Sequence, residues 1–97
     1  MDGDPQRTPI RLHVPDGIGQ GVYANVVAVW HTAHDFTLDF AVAGMAQSGD
    51  DGSSVVPAEV VARVKVPTSV IFQIAQAIAT NVDGYERSYG PLTPPHS

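Results

Sequence analysis

Four stretches of the chain alternate apolar and polar residues with period two, and a fifth repeats every 3.6 residues. Ile10, Leu12 and Val14 alternate with Arg11 and His13 up to Pro15-Asp16-Gly17, the pattern of a half-buried strand. From Gly21 to about His31, Val22, Ala24, Val26, Ala28 and Trp30 point one way, while Tyr23, Asn25, Val27, Val29 and His31 point the other. Both sides carry apolar residues, which predicts a central strand covered on both faces. After a short turn at Thr32-Ala33-His34-Asp35, Phe36, Leu38, Phe40 and Val42 are expected to face the core, with Thr37, Asp39 and Ala41 opposite. The two runs form a hairpin.

A fourth strand follows, with Val60, Ala62, Val64 and Val66 alternating with Val61, Arg63 and Lys65. Pro67-Thr68-Ser69 ends it and supplies hydroxyls suited to capping a helix. Ile71, Ile74, Ala75, Ile78, Val82, Tyr85 and Tyr89 then fall at helical spacing as far as Gly90-Pro91, a stop signal. Gly84 lies within this helical pattern and costs about 1 kcal/mol relative to Ala. The predicted fold is α+β: a four-stranded antiparallel sheet followed by one long C-terminal helix.

Composition trims this picture. Prolines cluster at both ends, so residues 1–9 and 91–97 read as disordered tails around a single domain at 10–90. Residues 44–57, rich in Gly, Ser and Asp, read as a mobile acidic loop. That leaves a core of roughly 70 residues, a size at which association is a common remedy for marginal stability. The chain has no cysteine, which excludes a disulfide framework, thiolate zinc ligands and a thiol nucleophile. Its apolar runs are too short to cross a bilayer, and the acidic start is unlike a signal peptide, so a cytoplasmic protein is expected. The net charge of −5 argues against phosphate-backbone binding. Asp2, Asp4, Asp50 and Asp51 lie in the predicted mobile segments, however, so the folded body is nearly neutral.

One helix covers one sheet face. Here it is expected to cover the face bearing Trp30, Phe36, Leu38 and Phe40, leaving Tyr23, Val27, Val29 and Val61 among Arg11, His13, Asp39, Arg63 and Lys65. Val70, Ile71 and Phe72 are consecutive and cannot all face one sheet. A homodimer through Val27, Val29 and this helix flank would bury the remainder, and a two-fold pairing is self-complementary. The expected interaction surface is Tyr23, Asn25, Val27, Val29, Arg63, Lys65, Val70, Ile71 and Phe72.

Candidate chemistry is sparse. His31 and His34, three apart beside Asp35, could meet at a metal, but no third ligand follows at a recognisable spacing. No cofactor is expected. The serines lie in loops, at the cap or at the helix end, without a nucleophile-elbow context. Asp35 and Asp39 sit about 13 Å apart along a strand, too far for joint acid–base work. Gly17-Ile18-Gly19-Gln20-Gly21 lacks the lysine and the following helix of a phosphate cradle and reads as a strand connector. Nothing in the sequence supports an enzyme. A sheet with Tyr23, Arg11, Arg63 and Lys65 could sketch a single-stranded nucleic-acid surface, although one aromatic is fewer than such surfaces use.

Taken together, Tyr23-Ala24-Asn25, Val29-Trp30-His31, Phe36-Thr37-Leu38-Asp39-Phe40, Ala62-Arg63-Val64-Lys65-Val66, Ala77-Ile78-Ala79-Thr80-Asn81, Tyr85-Glu86 and Tyr89-Gly90 resemble an uncharacterised domain-of-unknown-function family of short bacterial and archaeal proteins. Its members read roughly YANxxxVxHSxxEFxLDF and, after a variable loop, xRVxMSPxHAKxLxxALxxNIxxYExxFG. The resemblance spans about Gly21 to Gly90 and implies fold and length rather than an activity. Two departures matter: Pro67-Thr68 stands where the family has Ser-Pro, and Val70-Ile71-Phe72-Gln73 replaces its polar and basic helix start. The second removes charge that nucleic acid would need and adds apolar surface suited to a protein contact. The expectation is a small non-enzymatic interaction or adaptor module that acts as a homodimer and binds another protein. The alternative is a sheet-surface binder of single-stranded nucleic acid, and no membrane role is expected.

Overall fold

The computed structural model describes residues 8–93, so most of the two expected tails lies outside the described residues. The elements run β1 (Val26–His31), β2 (Asp35–Ala43), β3 (Gln47–Ser48), β4 (Ser54–Val55), β5 (Ala58–Pro67) and α1 (Ile71–Tyr89). β1, β2 and β5 form an antiparallel sheet in that order, while β3 and β4 pair as a separate two-residue ladder. The class is α+β with a C-terminal helix, as the periodicity predicts.

The main sheet has three strands, not four. Ile10, Leu12 and Val14 alternate like a strand, yet they are not in the sheet and are 88%, 87% and 62% exposed. Alternation creates a strand's two surfaces, but a strand exists only where another backbone supplies its ladder. The hydrogen bonds that follow this stretch close turns instead: Ile18 N donates to Pro15 O at 3.4 Å and Gly21 N to Ile18 O at 3.0 Å. Gly17 and Gly21 hold positive φ, 97° and 75°, which glycine adopts without steric cost. For the same reason β1 is shorter than the expected 21–31 strand. Its ladder reaches back only to Asn25, whose N–H meets Ala41 O at 3.0 Å.

The β1–β2 hairpin turns where its sequence predicts. Thr32 N donates to Asp35 O at 2.9 Å. The Thr32 hydroxyl donates to Asp35 Oδ1 at 2.9 Å and accepts the backbone N–H groups of His34 and Asp35. That turn fixes the register Trp30 to Thr37, Val29 to Leu38, Ala28 to Asp39 and Val27 to Phe40. On the other side Lys65 lies opposite Thr37, Val64 opposite Leu38, and Arg63 opposite Asp39. The β2–β5 register shifts between Phe40 and Ala41, where Val61 is the extra residue of β5, a β-bulge.

Residues 44–57 fold back on themselves between β2 and β5. Gly44 N donates to Pro57 O at 2.8 Å, and Gly49 N to Ser53 O at 2.7 Å. Asp51 accepts both the hydroxyl and the backbone N–H of Ser53, at 2.6 and 3.0 Å. These bonds hold its carboxyl below the usual range, the hydroxyl contributing most.

α1 starts after a tight turn in which Val70 N donates to Pro67 O at 3.0 Å. Val70 is the N-cap residue and no side chain caps the helix, so the hydroxyls of Thr68 and Ser69 do not serve as predicted. The turn places them ahead of the cap position rather than in it. Gly90 ends the helix at φ 99°, with its N–H on Glu86 O at 2.9 Å. None of the 19 helix residues is buried. The extensive packing between elements runs from strand to strand, and α1 makes no comparable contact with its own sheet.

Candidate functional site

The register sorts the sheet residues differently from the sequence expectation. Trp30 shares a face with Thr37, Asp39, Arg63 and Lys65, whereas Val27 and Val29 join Phe36, Leu38, Phe40, Val64 and Val66. The expected partition had exchanged Trp30 with the two valines. Alternation within a strand fixes which residues go together, but the hairpin turn decides how one strand's two sets match its neighbour's.

On the polar face, Asp39 is the centre. Arg63 grips it through two bonds, Nε to Oδ1 at 2.6 Å and Nη2 to Oδ2 at 2.9 Å. Trp30 Nε1 donates to the same Oδ2 at 3.1 Å. Beside them Lys65 Nζ donates to Thr37 Oγ1 at 2.9 Å. The Arg63 guanidinium and the Lys65 ammonium lie over the indole ring, 5.6 and 5.1 Å from its centroid, within cation–π range. The Arg63 bond, and then the Trp30 bond, hold the Asp39 carboxyl below its ordinary 3.8. Reciprocally, the Asp39 hydrogen bond raises the Arg63 guanidinium. Asp39 and Arg63 thus form a cross-strand ion pair, and it recruits the indole, which the sequence did not reveal.

Burial runs opposite to expectation. Thr37, Asp39 and Ala41, the short residues set on the outer side of β2, are the buried ones, at 0%, 7% and 5% exposure. Trp30, Arg63 and Lys65 have side chains long enough to roof them from the flanking strands. The large apolar residues expected in the core instead form an unroofed face. Phe36, Leu38 and Phe40 are half-buried along its middle, flanked by Val27, Val29 and Val64 at 53%, 55% and 44% exposure. Its centre holds no charged residue.

α1 presents a matching stripe. Ile78, Val82, Tyr85 and Tyr89 remain 58%, 38%, 47% and 77% exposed, and the two tyrosine rings stack at 4.9 Å. Leu92 N donates to Glu86 Oε2 at 2.8 Å. This folds the following segment back to edge a shallow apolar groove of about 490 Å³ with Ala77, Ile78, Asn81, Val82 and Tyr85.

The expected interaction residues are thus divided. Val27 and Val29 lie on the apolar face, Arg63 and Lys65 on the polar one. Tyr23 and Asn25 precede β1; Tyr23 is 73% exposed, and Asn25 Oδ1 accepts the Ala43 N–H at 3.0 Å. Val70 and Ile71 are half-buried at the helix start, while Phe72 is 82% exposed, so the three consecutive apolar residues do face different ways. His31 packs its ring on Phe36 at 5.4 Å. Among the described residues no group of three or more His, Cys, Asp or Glu could hold a metal ion. No described helix is long and apolar enough to cross a membrane.

Residues 2–94 match the family model of DUF3467, a protein of unknown function. The chain belongs to that family, in keeping with the resemblance seen in the sequence. No curated protein and no solved structure matches it.

Proposed function

We propose that this chain is a non-enzymatic protein-interaction or adaptor module that acts as a homodimer. The observation that carries the reading is the sheet face of Phe36, Leu38, Phe40, Val27, Val29 and Val64, which is apolar and only partly covered. Exposed contiguous apolar patches of this kind mark association sites. With that face covered by a second copy, the polar Trp30 face, Phe72 and the arm before β1 remain outward for a further protein partner.

The nucleic-acid alternative draws on the Trp30, Arg63 and Lys65 face. Both cations, however, already lie over the indole, and Arg63 is committed to Asp39. A stacked base would have to displace contacts that complete the face. Light scattering at micromolar concentration tests the first reading: twice the chain mass is expected, and a single-chain mass overturns it. Titration with single-stranded oligonucleotides tests the second. Binding that falls steeply with salt would establish it, and no binding at low salt removes it.

A further inference from the structure

We propose that the dimer is built by reciprocal helix exchange, the α1 stripe of each chain lying on the Phe36–Leu38–Phe40 face of the other. This rests on the homodimer reading and names the element that supplies the contact.

Three observations carry it. First, the shapes agree. α1 has 19 residues, about 28 Å at 1.5 Å per residue. β2, the middle strand, has nine residues, roughly 30 Å at 3.4 Å per residue. The outer strands of a three-stranded sheet stand about 10 Å apart, close to the width of a single helix. Second, the chemistry agrees. Ile78, Val82 and Tyr85 of the stripe and Val27, Val29 and Val64 of the face are all more than a third exposed, and both surfaces are apolar. Third, the area is sufficient. All 97 residues together expose 8602 Å², against about 5,300 Å² for a compact globule of 10.2 kDa. The surplus counts the arm before β1 and the residues outside 8–93, and a standard interface needs only roughly 800 Å² from each partner, about a quarter of it.

The turn that launches α1 is short, and the helix makes no extensive contact with its own sheet. Only Thr68, Ser69 and Val70 separate β5 from the helix, and the Val70 N–H is bonded to Pro67 O. The helix therefore leaves in a fixed direction rather than swinging back on a long tether. In a two-fold dimer the helix-on-sheet contact occurs twice and the assembly closes.

The absence of cysteine makes the test clean. Val29→Cys and Ile78→Cys chains are unfolded together, refolded as a mixture and treated with a short bismaleimide, with Leu38→Cys and Val82→Cys as a second pair. Light scattering is run on each sample. Helix exchange predicts a covalent Val29→Cys–Ile78→Cys dimer as the main product by mass spectrometry, and little product from either variant alone. If the mass remains dimeric but neither pair gives the mixed product, or self-linked products dominate, helix exchange is overturned while the homodimer stands. A single-chain mass for the unmodified protein overturns both.

Discussion

At the scale of single residues, Asp39 ties three strands together. Its carboxylate sits on β2, its guanidinium partner on β5 and its indole partner on β1. The lowered carboxyl has a direct consequence for acid stability. A group whose folded value lies below its unfolded value stabilises the fold fully above the unfolded value, here the ordinary 3.8. That contribution is lost as pH falls through the lower folded value. Asp39→Asn is therefore expected to unfold at lower urea than the unmodified chain near neutral pH, with the gap closing on acidification below pH 4. A gap that persists unchanged to pH 2 would place the effect elsewhere than in the charge. Trp30→Phe removes one donor to the same carboxylate, so it should raise the Asp39 titration midpoint measured by NMR. The pairing of Asp39 with Arg63 was readable from opposite charges on the solvent-side positions of two alternating strands. The indole's part was not, because it depends on how many residues the hairpin turn contains.

Among the elements, the helix and the β1–β2 hairpin are the most legible, and each rests on local information alone. The helix stripe runs from Ile71 to Tyr89 with a glycine just beyond, and the hairpin has Thr32 and Asp35 placed to bond the turn's own backbone. The Ile10–Val14 stretch was misleading because its alternation is equally local, while a ladder partner is not. The helix also carries a removable weakness. A Cβ at Gly84 would meet nothing closer than the Arg87 Nη2 at 4.0 Å, and position 84 lies off the apolar stripe. Gly84→Ala should stabilise the fold by about 0.5–1 kcal/mol through the backbone entropy glycine forfeits in a helix. Thermal unfolding would show this as a higher midpoint with no change in assembly mass. A lower midpoint would mean that another surface lies close to Gly84.

For the whole molecule, the sequence indicated more apolar surface than one helix could cover, and the structure moves that surface. Among the described residues the buried ones are the small and polar set of β2, whereas Phe36 and Phe40 are only half-buried and most of the helix stripe is exposed. On the proposed homodimer stability depends on concentration, because association then supplies the main apolar core. A tenfold dilution should lower the thermal midpoint measurably if the fold is completed by a second copy. A midpoint independent of dilution would indicate that a single chain closes its own core. The placement of the core was beyond the sequence for a physical reason: periodicity specifies faces, but not which body a face meets.

The β-bulge between Phe40 and Ala41 has a further consequence, for what the molecule avoids. β5 is an edge strand of ten residues, long enough to recruit foreign strands. The extra residue at the bulge increases the local twist of that edge. Beyond it, Arg63 and Lys65 place two cations along the same strand, and Pro67 ends it with a residue that has no N–H to donate. An exposed edge of this length must be kept from polymerising, and this strand carries three separate obstacles to it.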